Sequence, residues 1–362
     1  MATMHFDKRR ARVLELMRPT GDQALFVSDP INVLYLTGFE STNAYVVLTR
    51  RETAVFTDGR YEAALRPYAA RQKLVSVILR GALGEALAAY CHDAGIRTLA
   101  FEADHLTVAG YERLRRRCRR LRWQPADNWI GAVRDCKEPG ELAQMRLAIA
   151  VAQDAFRSLR PARLAGMSER AIAALLEERI RTIARARGLY AEPSFNFIVA
   201  CGPNAAVPHH HSGETIVRPP TILKIDWGAR INHYCSDLTR TLFLGRPTAR
   251  FREIYNVVKR AHLAAIAAVR PGVPLCDVDH AARRVITDAG FGDAFSHNTG
   301  HGVGMQIHEG DGPQMKSTVT ARLGMVITIE PGIYLPGWGG IRLENMVLVT
   351  ARGRRVLTTL PL

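Results

Sequence analysis

The sequence predicts two domains: an α/β domain over residues 1–134, and an α+β domain with an internal repeat over residues 135–362. Three observations support this division. The chain has 362 residues, 47% of them hydrophobic, which suffices for two cores. Its first part alternates short apolar runs with helical ones, as α/β domains do. Beyond Arg134 long helices are followed by strands, and this succession occurs twice.

The first domain is expected to contain five strands and two helices, because short apolar runs alternate with longer amphipathic ones. The expected strands are ALFVS, AYVVLT, TAVFT, LVSVIL and RTLAFEA. The expected helices are GALGEALAAYCHDAG and TVAGYERLRRRCRRL. Their alternation predicts helices that pack on a sheet.

The second domain begins with a long predicted helix, GELAQMRLAIAVAQDAFRSL, with Pro139 near its first turn and the acidic Glu141 close to its start. Similar helices and strands recur later in the chain. Four pairs of positions have similar separations: Pro139 and Ala249 (110), Ser168 and Cys276 (108), Asp226 and Glu330 (104), and Asp237 and Glu344 (107). We therefore expect two units, each a helix pair followed by strands, that face each other across a cleft.

The chain is strongly basic, with 49 Lys and Arg residues against 34 Asp and Glu residues. Seven arginines lie between Arg113 and Arg122, in the run YERLRRRCRRLRW. Such a run can contact nucleic acid, or it can be the solvated face of a helix that buries Leu114, Cys118 and Leu121. The solvated face is preferred, because no zinc-finger spacing, RNA-binding aromatic motif or heptad accompanies the run. No nucleic-acid partner is expected.

The sequence carries no sign of secretion or of membrane insertion. Its start, MATMHFDKRRARVLELMRP, has charges through its middle, and no stretch approaches the roughly eighteen apolar residues of a membrane span. The six cysteines are scattered singly, which suits reduced thiols better than a disulfide framework. We expect a cytoplasmic protein without a membrane partner.

Acidic residues interrupt apolar strand patterns at four places. Asp226 and Asp237 do so in TILKIDWGARINHYCSDLTRTLFLG, and Glu330 and Glu344 do so in GMVITIEPGIYLPGWGGIRLENMVLVT. An ionised carboxylate that is buried without a counter-charge is costly. Each of these acids must therefore be paired, protonated or bound to a metal.

A histidine completes a candidate ligand set. His301 lies in SHNTGHGVGMQIHEG between glycines, which allow the backbone to approach another group closely. Two divalent cations and one hydroxide nearly balance the charge of four carboxylates. Several oxygens and one nitrogen suit manganese, cobalt or zinc. The alternative is that the acids form salt bridges, with Arg240 and Arg342 as candidates.

Four motifs resemble those of a known enzyme family. DWGARINHYCSDLTRT, HNTGHGVGMQIHE, IEPGIY and GGIRLENMVLV are similar to the dinuclear-metal motifs of the pita-bread metallopeptidases, in the aminopeptidase P and prolidase branch of the creatinase/aminopeptidase superfamily. VRDCKEPGELAQMRLA resembles the segment that enters the catalytic domain of this branch. The resemblance implies a pita-bread catalytic domain with a pseudo-two-fold repeat, preceded by a smaller creatinase-type α/β domain.

The resemblance also implies roles for single residues. The five metal ligands would be Asp226, Asp237, His301, Glu330 and Glu344, with Asp237 and Glu344 bridging two divalent ions. Manganese is the expected metal, with cobalt and zinc as alternatives. Glu330 would also carry a proton from the attacking water to the leaving nitrogen.

Four further residues are candidates for the catalytic machinery. His209, which follows proline in CGPNAAVPHHHSGE, and His308, in IHE, would donate hydrogen bonds to the tetrahedral intermediate. The next two histidines of the first motif are interpreted as neutral surface residues. Arg342 and Tyr334 flank the ligand strands, and Arg342 would contact either a substrate carboxylate or a ligand acid.

The expected reaction is hydrolysis of the Xaa-Pro bond at the N-terminus of peptides. Methionine aminopeptidases share the five ligands but usually lack this N-terminal domain and the GIRLEN context. A prolidase restricted to Xaa-Pro dipeptides is the alternative. In HEGDGPQ this chain departs from the usual His-Glu-x-Pro, and because that segment is expected to border the cleft it bears on substrate preference.

Two other classes of protein are alternatives to a metallopeptidase. One is a non-catalytic pita-bread protein that binds peptide, histone or nucleic acid, and the other is a metal-free hydrolase of the creatinase type. Both normally depart from the five-ligand set, whereas all five positions are intact here. The resemblance further implies a homodimer.

Overall fold

The computed structural model describes residues 4–362, so the first three residues of the predicted N-terminal domain lie outside the described part. The chain divides into two compact units, one that ends at Val133 and one that begins at Arg134. This division falls one residue before the predicted boundary. Each unit contains its own buried apolar core.

The first unit is built on one mixed sheet. In chain order its elements are α1 (Phe6–Met17), β1 (Ala24–Val27), α2 (Pro30–Thr37), β2 (Ala44–Thr49), β3 (Thr53–Asp58), α3 (Glu62–Gln72), β4 (Val75–Leu79), α4 (Leu83–Asp93), β5 (Thr98–Glu102), α5 (Val108–Arg117), β6 (Arg122–Ala126) and α6 (Trp129–Arg134). The strand order is β4-β3-β2-β1-β5-β6. Pairs β1–β2 and β2–β3 are antiparallel and the others are parallel. The predicted α/β class is confirmed.

All seven elements predicted for this unit are present, while β6 and four of the helices go beyond the prediction. One of these, α2, has clear sequence signals. The Asp29 side chain accepts a hydrogen bond from the Ile31 amide, and Pro30 is the first helical residue. The helix ends at Gly38, which has a φ of 71°.

The arginine-rich run lies on α5 and the turn that follows it. All seven of its arginines are exposed, whereas Leu114 and Cys118 are buried. The helix ends at Arg117 rather than at Leu121, because Cys118 leaves helical geometry and the chain turns to place β6 beside β5. Leu121 lies beyond the helix and is only partly buried, so the predicted buried stripe is limited to Leu114 and Cys118, and the preference for a solvated face stays a prediction.

The second unit contains two helix pairs and several small antiparallel sheets. Its elements are α7 (Pro139–Ser158), α8 (Glu169–Ala186), β7 (Glu192–Pro193), β8 (Ile198–Cys201), β9 (Thr221–Trp227), β10 (Ala229–Ile231), β11 (Tyr234–Cys235), β12 (Leu238–Leu244), α9 (Ala249–Ala268), α10 (Leu275–Asp288), β13 (Val326–Ile329), β14 (Gly332–Leu335), β15 (Gly339–Arg342), β16 (Asn345–Thr350) and β17 (Gly353–Val356).

These elements form two similar halves. In the first half α7 and α8 pack on the sheet β8–β9–β12, and in the second half α9 and α10 pack on the sheet β13–β16–β17. Helices α7 and α9 each have 20 residues and begin at Pro139 and Ala249, the first pair of repeat positions. Separate apolar cores lie under the two helix pairs. The predicted α+β class with an internal repeat is confirmed.

The two halves meet along β12. The Glu344 amide donates to the Thr239 carbonyl oxygen at 3.2 Å. The Thr241 hydroxyl donates to the Arg342 carbonyl oxygen at 2.9 Å, and the Arg342 amide donates back to that hydroxyl at 3.1 Å. These bonds join the strand that follows Asp237 to the segment that carries Glu344.

Two smaller expectations can be compared with the structure. All six cysteines are free thiols, as the sequence predicted. Between residues 4 and 362, no helix combines the length and apolar character needed to cross a membrane.

Candidate metal centre

The four predicted carboxylates lie in or directly beside strands of the second unit. Asp226 lies in β9 opposite Thr239 of β12, and Asp237 directly precedes β12. Because β9 and β12 are antiparallel, both aspartates are near the same end of their sheet. In the second half Glu330 directly follows β13, and Glu344 lies between β15 and β16.

The structure brings all five predicted ligands together. Ligand atoms of Asp237, His301 and Glu344 lie within 4.8 Å of one another. His301 Nε2 is 3.4 Å from Oδ2 of Asp237 and also 3.4 Å from Oε1 of Glu330. Asp226 joins the other four in lining a single cavity.

His301 presents its Nε2 atom to the carboxylates, because its Nδ1 atom donates to the Gly302 carbonyl oxygen at 3.0 Å. The glycines beside it are required by packing against neighbouring backbone. A Cβ atom on Gly300 would lie 2.0 Å from the Thr328 carbonyl oxygen, and one on Gly302 would lie 2.0 Å from that of Glu309. The glycines therefore allow the backbone on either side of His301 to pack closely against these two carbonyl groups.

The acids of this cluster are buried and crowded. Asp237 and Glu344 are only 4% and 1% exposed. Burial, and then the neighbouring carboxylates, hold the pKa of both side chains well above the usual range. Burial also raises the pKa of Glu330. Without a cation, ionisation of this cluster is opposed by both desolvation and repulsion.

Three oxygens of the cluster have no hydrogen-bond partner: Asp226 Oδ1, Asp237 Oδ1 and Glu344 Oε1. Among residues 4–362 no other buried carboxylate oxygen is in this condition. Buried polar atoms are normally paired, because an unmade hydrogen bond costs folding free energy. Unpaired oxygens beside an accepting imidazole nitrogen therefore fit the ligand set of a divalent metal.

The salt-bridge alternative holds for only one of the two buried aspartates. Arg342 Nη2 is 2.5 Å from Asp226 Oδ2. Arg240, the other candidate partner, donates instead to the carbonyl oxygens of Leu360 and Glu344, both at 2.6 Å. In the described chain no Lys or Arg forms an ion pair with the side chains of Asp237 or Glu344.

Arg342 and Tyr334 lie behind the carboxylates and do not line the cavity. Arg342 is 2% exposed, and its Nη1 atom donates to Tyr334 Oη at 3.1 Å. Burial raises the pKa of Tyr334 to about 12, so its hydroxyl stays protonated at neutral pH. Of the two contacts expected for Arg342, the geometry shows the one with a ligand acid.

The cavity beside the carboxylates has a volume of about 500 Å³. His209 and His308 both line it, together with apolar side chains that include Phe195, Phe197 and Ile307. Burial is the main cause that lowers the pKa of both histidines, so each imidazole is neutral near pH 7. The two candidate hydrogen-bond donors therefore share one cavity with the metal ligands.

His308 is placed by two neighbours. Its ring packs edge-on against that of His301, with centroids 4.3 Å apart and planes at 84°. The next residue, Glu309, which sequence reasoning missed, accepts a hydrogen bond from Arg134 at 2.5 Å and lies 3.3 Å from Lys137. The pKa of Glu309 is lowered although burial raises it, because these two cations stabilise the carboxylate. This buried ion pair anchors the segment that carries His308.

His297 was also missed, although it lies only four residues before His301. Its Nδ1 atom donates to the Asn298 carbonyl oxygen at 2.7 Å, and its Nε2 atom is 2.8 Å from Tyr334 Oη. Burial lowers the pKa of His297 to about 3, so the ring accepts the Tyr334 hydroxyl hydrogen. The repeated histidine in SHNTGH was the available signal.

The HEGDGPQ segment packs against the backbone of Gly300 and His301. A Cβ atom on Gly312 would lie 2.3 Å from the His301 Cα atom, and the Gly300 amide donates to the Pro313 carbonyl oxygen at 3.1 Å. His308, the first residue of this segment, lines the cavity, whereas none of residues 310–313 does. The departure from His-Glu-x-Pro therefore acts on the backbone that supports His301.

Comparison with known proteins agrees with this fold and site. The model of metallopeptidase family M24 matches residues 143–351, and that of the creatinase/prolidase N-terminal domain matches residues 9–136. The chain belongs to metallopeptidase family M24, with a creatinase-type N-terminal domain. The predicted pita-bread family and its aminopeptidase P and prolidase branch are confirmed.

Individual relatives are similar over almost their whole length. The chain is 31% identical to the uncharacterized peptidase YqhT of Bacillus subtilis, covering 97% of each protein. The Xaa-Pro dipeptidase from Bacillus anthracis has a TM-score of 0.91 at 30% identity, over 99% of this chain and 98% of that one. The X-Pro aminopeptidase from Thermotoga maritima has a TM-score of 0.85 at 28% identity, over 96% and 98%. This protein is thus a metallopeptidase, a hydrolase that uses divalent metal and acts on peptides.

Proposed function

We propose that this metallopeptidase hydrolyses the Xaa-Pro bond at the N-terminus of peptides with two divalent ions. Asp226, Asp237, His301, Glu330 and Glu344 would hold the ions, with manganese the first choice and cobalt or zinc as alternatives. The three unpaired carboxylate oxygens carry this proposal, because they belong to three different predicted ligands.

Charge balance supports two ions over one. Four ionised carboxylates carry about four negative charges, and Arg342 neutralises about one of them through Asp226. One divalent ion would leave about one negative charge uncompensated in a buried cluster. Two ions with a shared hydroxide balance the four carboxylates and Arg342.

When bound, such ions lower the pKa of a shared water and polarise the scissile carbonyl. The chain supplies the proton transfer. Glu330 is 16% exposed, so its carboxylate can reach both the ligand cluster and the substrate. This carboxylate would accept a proton from the attacking water and pass it to the leaving nitrogen.

His209 and His308 would stabilise the oxygen of the tetrahedral intermediate. Both line the cavity, and their lowered pKa values leave neutral rings that can donate one N–H. A donor aimed at a developing oxyanion is typically worth about 3 kcal/mol in the transition state.

The cavity favours an aminopeptidase over a strict dipeptidase. No Lys or Arg side chain lines its described wall. A dipeptide ends in a free carboxylate just after proline, and strict dipeptidases need a fixed partner for this charge. The similarity to the Bacillus anthracis Xaa-Pro dipeptidase favours the second candidate, a prolidase.

Two substrates distinguish the candidates. Chelated protein would be assayed with and without added manganese, cobalt or zinc for proline release from Ala-Pro and for alanine release from Ala-Pro-Ala. We expect metal-restored cleavage of the tripeptide. Cleavage of Ala-Pro alone would identify a prolidase, and cleavage of neither peptide with two ions bound would refute the Xaa-Pro assignment.

Metal content and assembly need separate measurements. Inductively coupled plasma mass spectrometry should find two ions per chain, and a single tightly bound ion would contradict the dinuclear centre. The homodimer implied by the family resemblance remains a prediction, which light scattering after size exclusion would check.

A further inference from the structure

The segment that carries His209 runs from Gly202 to Gly213, between β8 and β9, and we call it the His209 loop. His209 lines the cavity, yet within residues 4–362 its imidazole has no hydrogen-bond partner. The position of the ring is therefore set by the backbone on either side of it. Two buried charged side chains hold that backbone, and neither of them lines the cavity.

Lys224 is the first of these side chains. It lies on β9 and is fully buried, with 0% exposure. Its Nζ atom donates to three carbonyl oxygens of the His209 loop, those of Ala205 at 3.1 Å, Val207 at 2.8 Å and Pro208 at 3.3 Å. Burial, and then the nearby Arg342, lowers the pKa of Lys224 to about 6. The protonated amine has three N–H donors for these three acceptors, and the neutral amine still has two. No carboxylate forms an ion pair with Lys224 in the described chain.

The Pro208 carbonyl oxygen receives a second buried donor. Arg342 Nη1 donates to it at 3.1 Å while Nη2 of the same guanidinium lies 2.5 Å from Asp226 Oδ2. The peptide just before His209 is thus hydrogen-bonded to two basic side chains, one of which also contacts Asp226, a proposed metal ligand. This linkage couples the place of His209 to the place of the metal cluster.

Glu169 binds both ends of the His209 loop. It lies at the start of α8 with 0% exposure. Oε1 accepts from the Cys201 amide at 2.8 Å and from Asn204 Nδ2 at 3.0 Å, and Oε2 accepts from the Gly213 amide at 3.1 Å. His210 Nε2, in the residue after His209, is 2.8 Å from Oε2. These bonds lower the pKa of Glu169 although burial opposes them.

The backbone around His209 is therefore held at two points: Lys224 bonds to carbonyl oxygens before it, and Glu169 bonds to groups on both sides of it. This geometry corrects the interpretation of the following residue, His210, as a free surface histidine. A displacement of about 1 Å at a reacting group can cost on the order of 100-fold in rate. Buried, fully bonded charges are suited to preventing such a displacement.

We infer that Lys224 and Glu169 are positioning residues that act on catalysis through His209. The inference rests on the proposed role of His209 as a donor to the tetrahedral intermediate. A merely structural role would lower stability in any background, whereas a positioning role disappears once the His209 ring has been removed. That difference can be measured.

The experiment is a pair of double-mutant cycles on the metal-loaded full chain, with Ala-Pro-Ala as substrate. Lys224→Met and Glu169→Gln are each made alone and with His209→Ala. Each single variant should lower kcat by about 10- to 100-fold with KM changed less than about 3-fold. In the His209→Ala background the same substitutions should lower kcat by less than about 3-fold. Equal losses in both backgrounds would overturn the inference.

Hydrogen exchange gives a readout that does not depend on activity. Peptides that cover residues 199–213 should exchange faster in Lys224→Met and Glu169→Gln, because amides of this segment bond to Glu169 or within the loop. Unchanged exchange would show that neither residue holds the loop. Melting curves and metal content confirm that the variants fold and carry metal.

Arg170→Gln is the matched control for Glu169→Gln. Arg170 is the next residue of α8, and its exposed side chain pairs with Glu214 at 3.1 Å. Its replacement should leave kcat and loop exchange unchanged, since exposed pairs contribute little. Normal kcat in His209→Ala alone would refute the proposed role of His209, and the exchange data would still decide whether the anchors hold the loop.

Discussion

The two halves of the second unit share a scaffold but treat their acids differently. At one pair of equivalent positions, Asp226 has a guanidinium atom at 2.5 Å, whereas for Glu330 the nearest arginine atom is at 3.8 Å. At the other pair, Asp237 and Glu344 are buried without any Lys or Arg partner. The repeat therefore places the acids at equivalent positions in the two halves. The side chains around each acid determine how its charge is compensated.

Each half also contributes a side chain that binds a carboxylate of the other half. Arg342 of the second half binds Asp226 of the first, and Thr239 of the first half donates to Glu344 Oε2 of the second at 2.8 Å. Each half thus stabilises a carboxylate of the other. The candidate metal centre is therefore built from both halves. Acids with an arginine partner should respond to mutation differently from acids without one.

The largest effect is expected for an unpaired acid. Asp237→Asn removes a charge and a ligand oxygen, so metal binding should be lost and turnover should fall by well over about 100-fold. The fold should persist, because no Lys or Arg loses its partner. Mass spectrometry for metal and the Ala-Pro-Ala assay check this, and two retained ions with normal turnover would remove Asp237 from the ligand set.

A paired acid should respond in stability as well. Asp226→Asn removes the carboxylate nearest to the buried Arg342 guanidinium and leaves the more distant Glu330, at 3.8 Å, which should destabilise metal-free protein by about 3 kcal/mol. Asp237→Asn should leave metal-free protein as stable as before or more stable, since it removes a carboxyl group whose ionisation is opposed by burial and by the neighbouring carboxylates. Urea unfolding of chelated protein measures both. Equal changes in the free energy of unfolding in the two variants would contradict the distinction between acids with and without an arginine partner.

The hydrogen bond between the halves at Thr239 can be removed by mutation. Thr239→Val removes the hydroxyl that donates to Glu344, and metal affinity should fall by about 10- to 100-fold, as for other partners of ligands. Thr241→Val is the matched control on the same strand, because its hydroxyl bonds only to backbone of Arg342. Metal titration checks both, and equal affinity losses would show that strand packing matters rather than the bond to Glu344.

The smallest effect concerns the helices. His262 of α9 corresponds to Ala152 of α7, since each is fourteenth in its helix. Burial lowers the pKa of His262 to about 3, so the unfolded chain binds a proton below about pH 6.5 that the folded chain does not. Its contribution to stability is therefore lost as the pH falls from about 6.5 towards 3.

His262→Leu tests this asymmetry between the halves. The variant should lose about 1 kcal/mol less stability than the parent between pH 7 and pH 5.5. His92→Leu is the control, because its side chain is 72% exposed. Unfolding curves at several pH values give the slopes, and identical slopes for parent and His262→Leu would contradict a neutral buried ring.

Much of the site could be predicted because its signals are local. Carboxylates inside apolar strand patterns and glycines around His301 each stand out within a few residues, and the similar separations exposed the repeat. Lys224 was overlooked, although alternation along β9 puts it on the same face as Asp226. The residues of the other face, Leu223, Ile225 and Trp227, are buried in the apolar core under α7 and α8. In that case the signal was present, and treating the strand as uniformly apolar concealed it.

The class of fold, the ligand set to be tested and the two histidines near it could be inferred from the sequence alone. Which acids are paired, where Arg342 acts and how the His209 loop is anchored became visible in the three-dimensional structure. The contacts responsible join residues far apart, such as Arg342 with Asp226 and Glu169 with His210. Periodicity and motifs report the local preferences of the chain, whereas the partner of a buried charge depends on which distant strand folding places beside it.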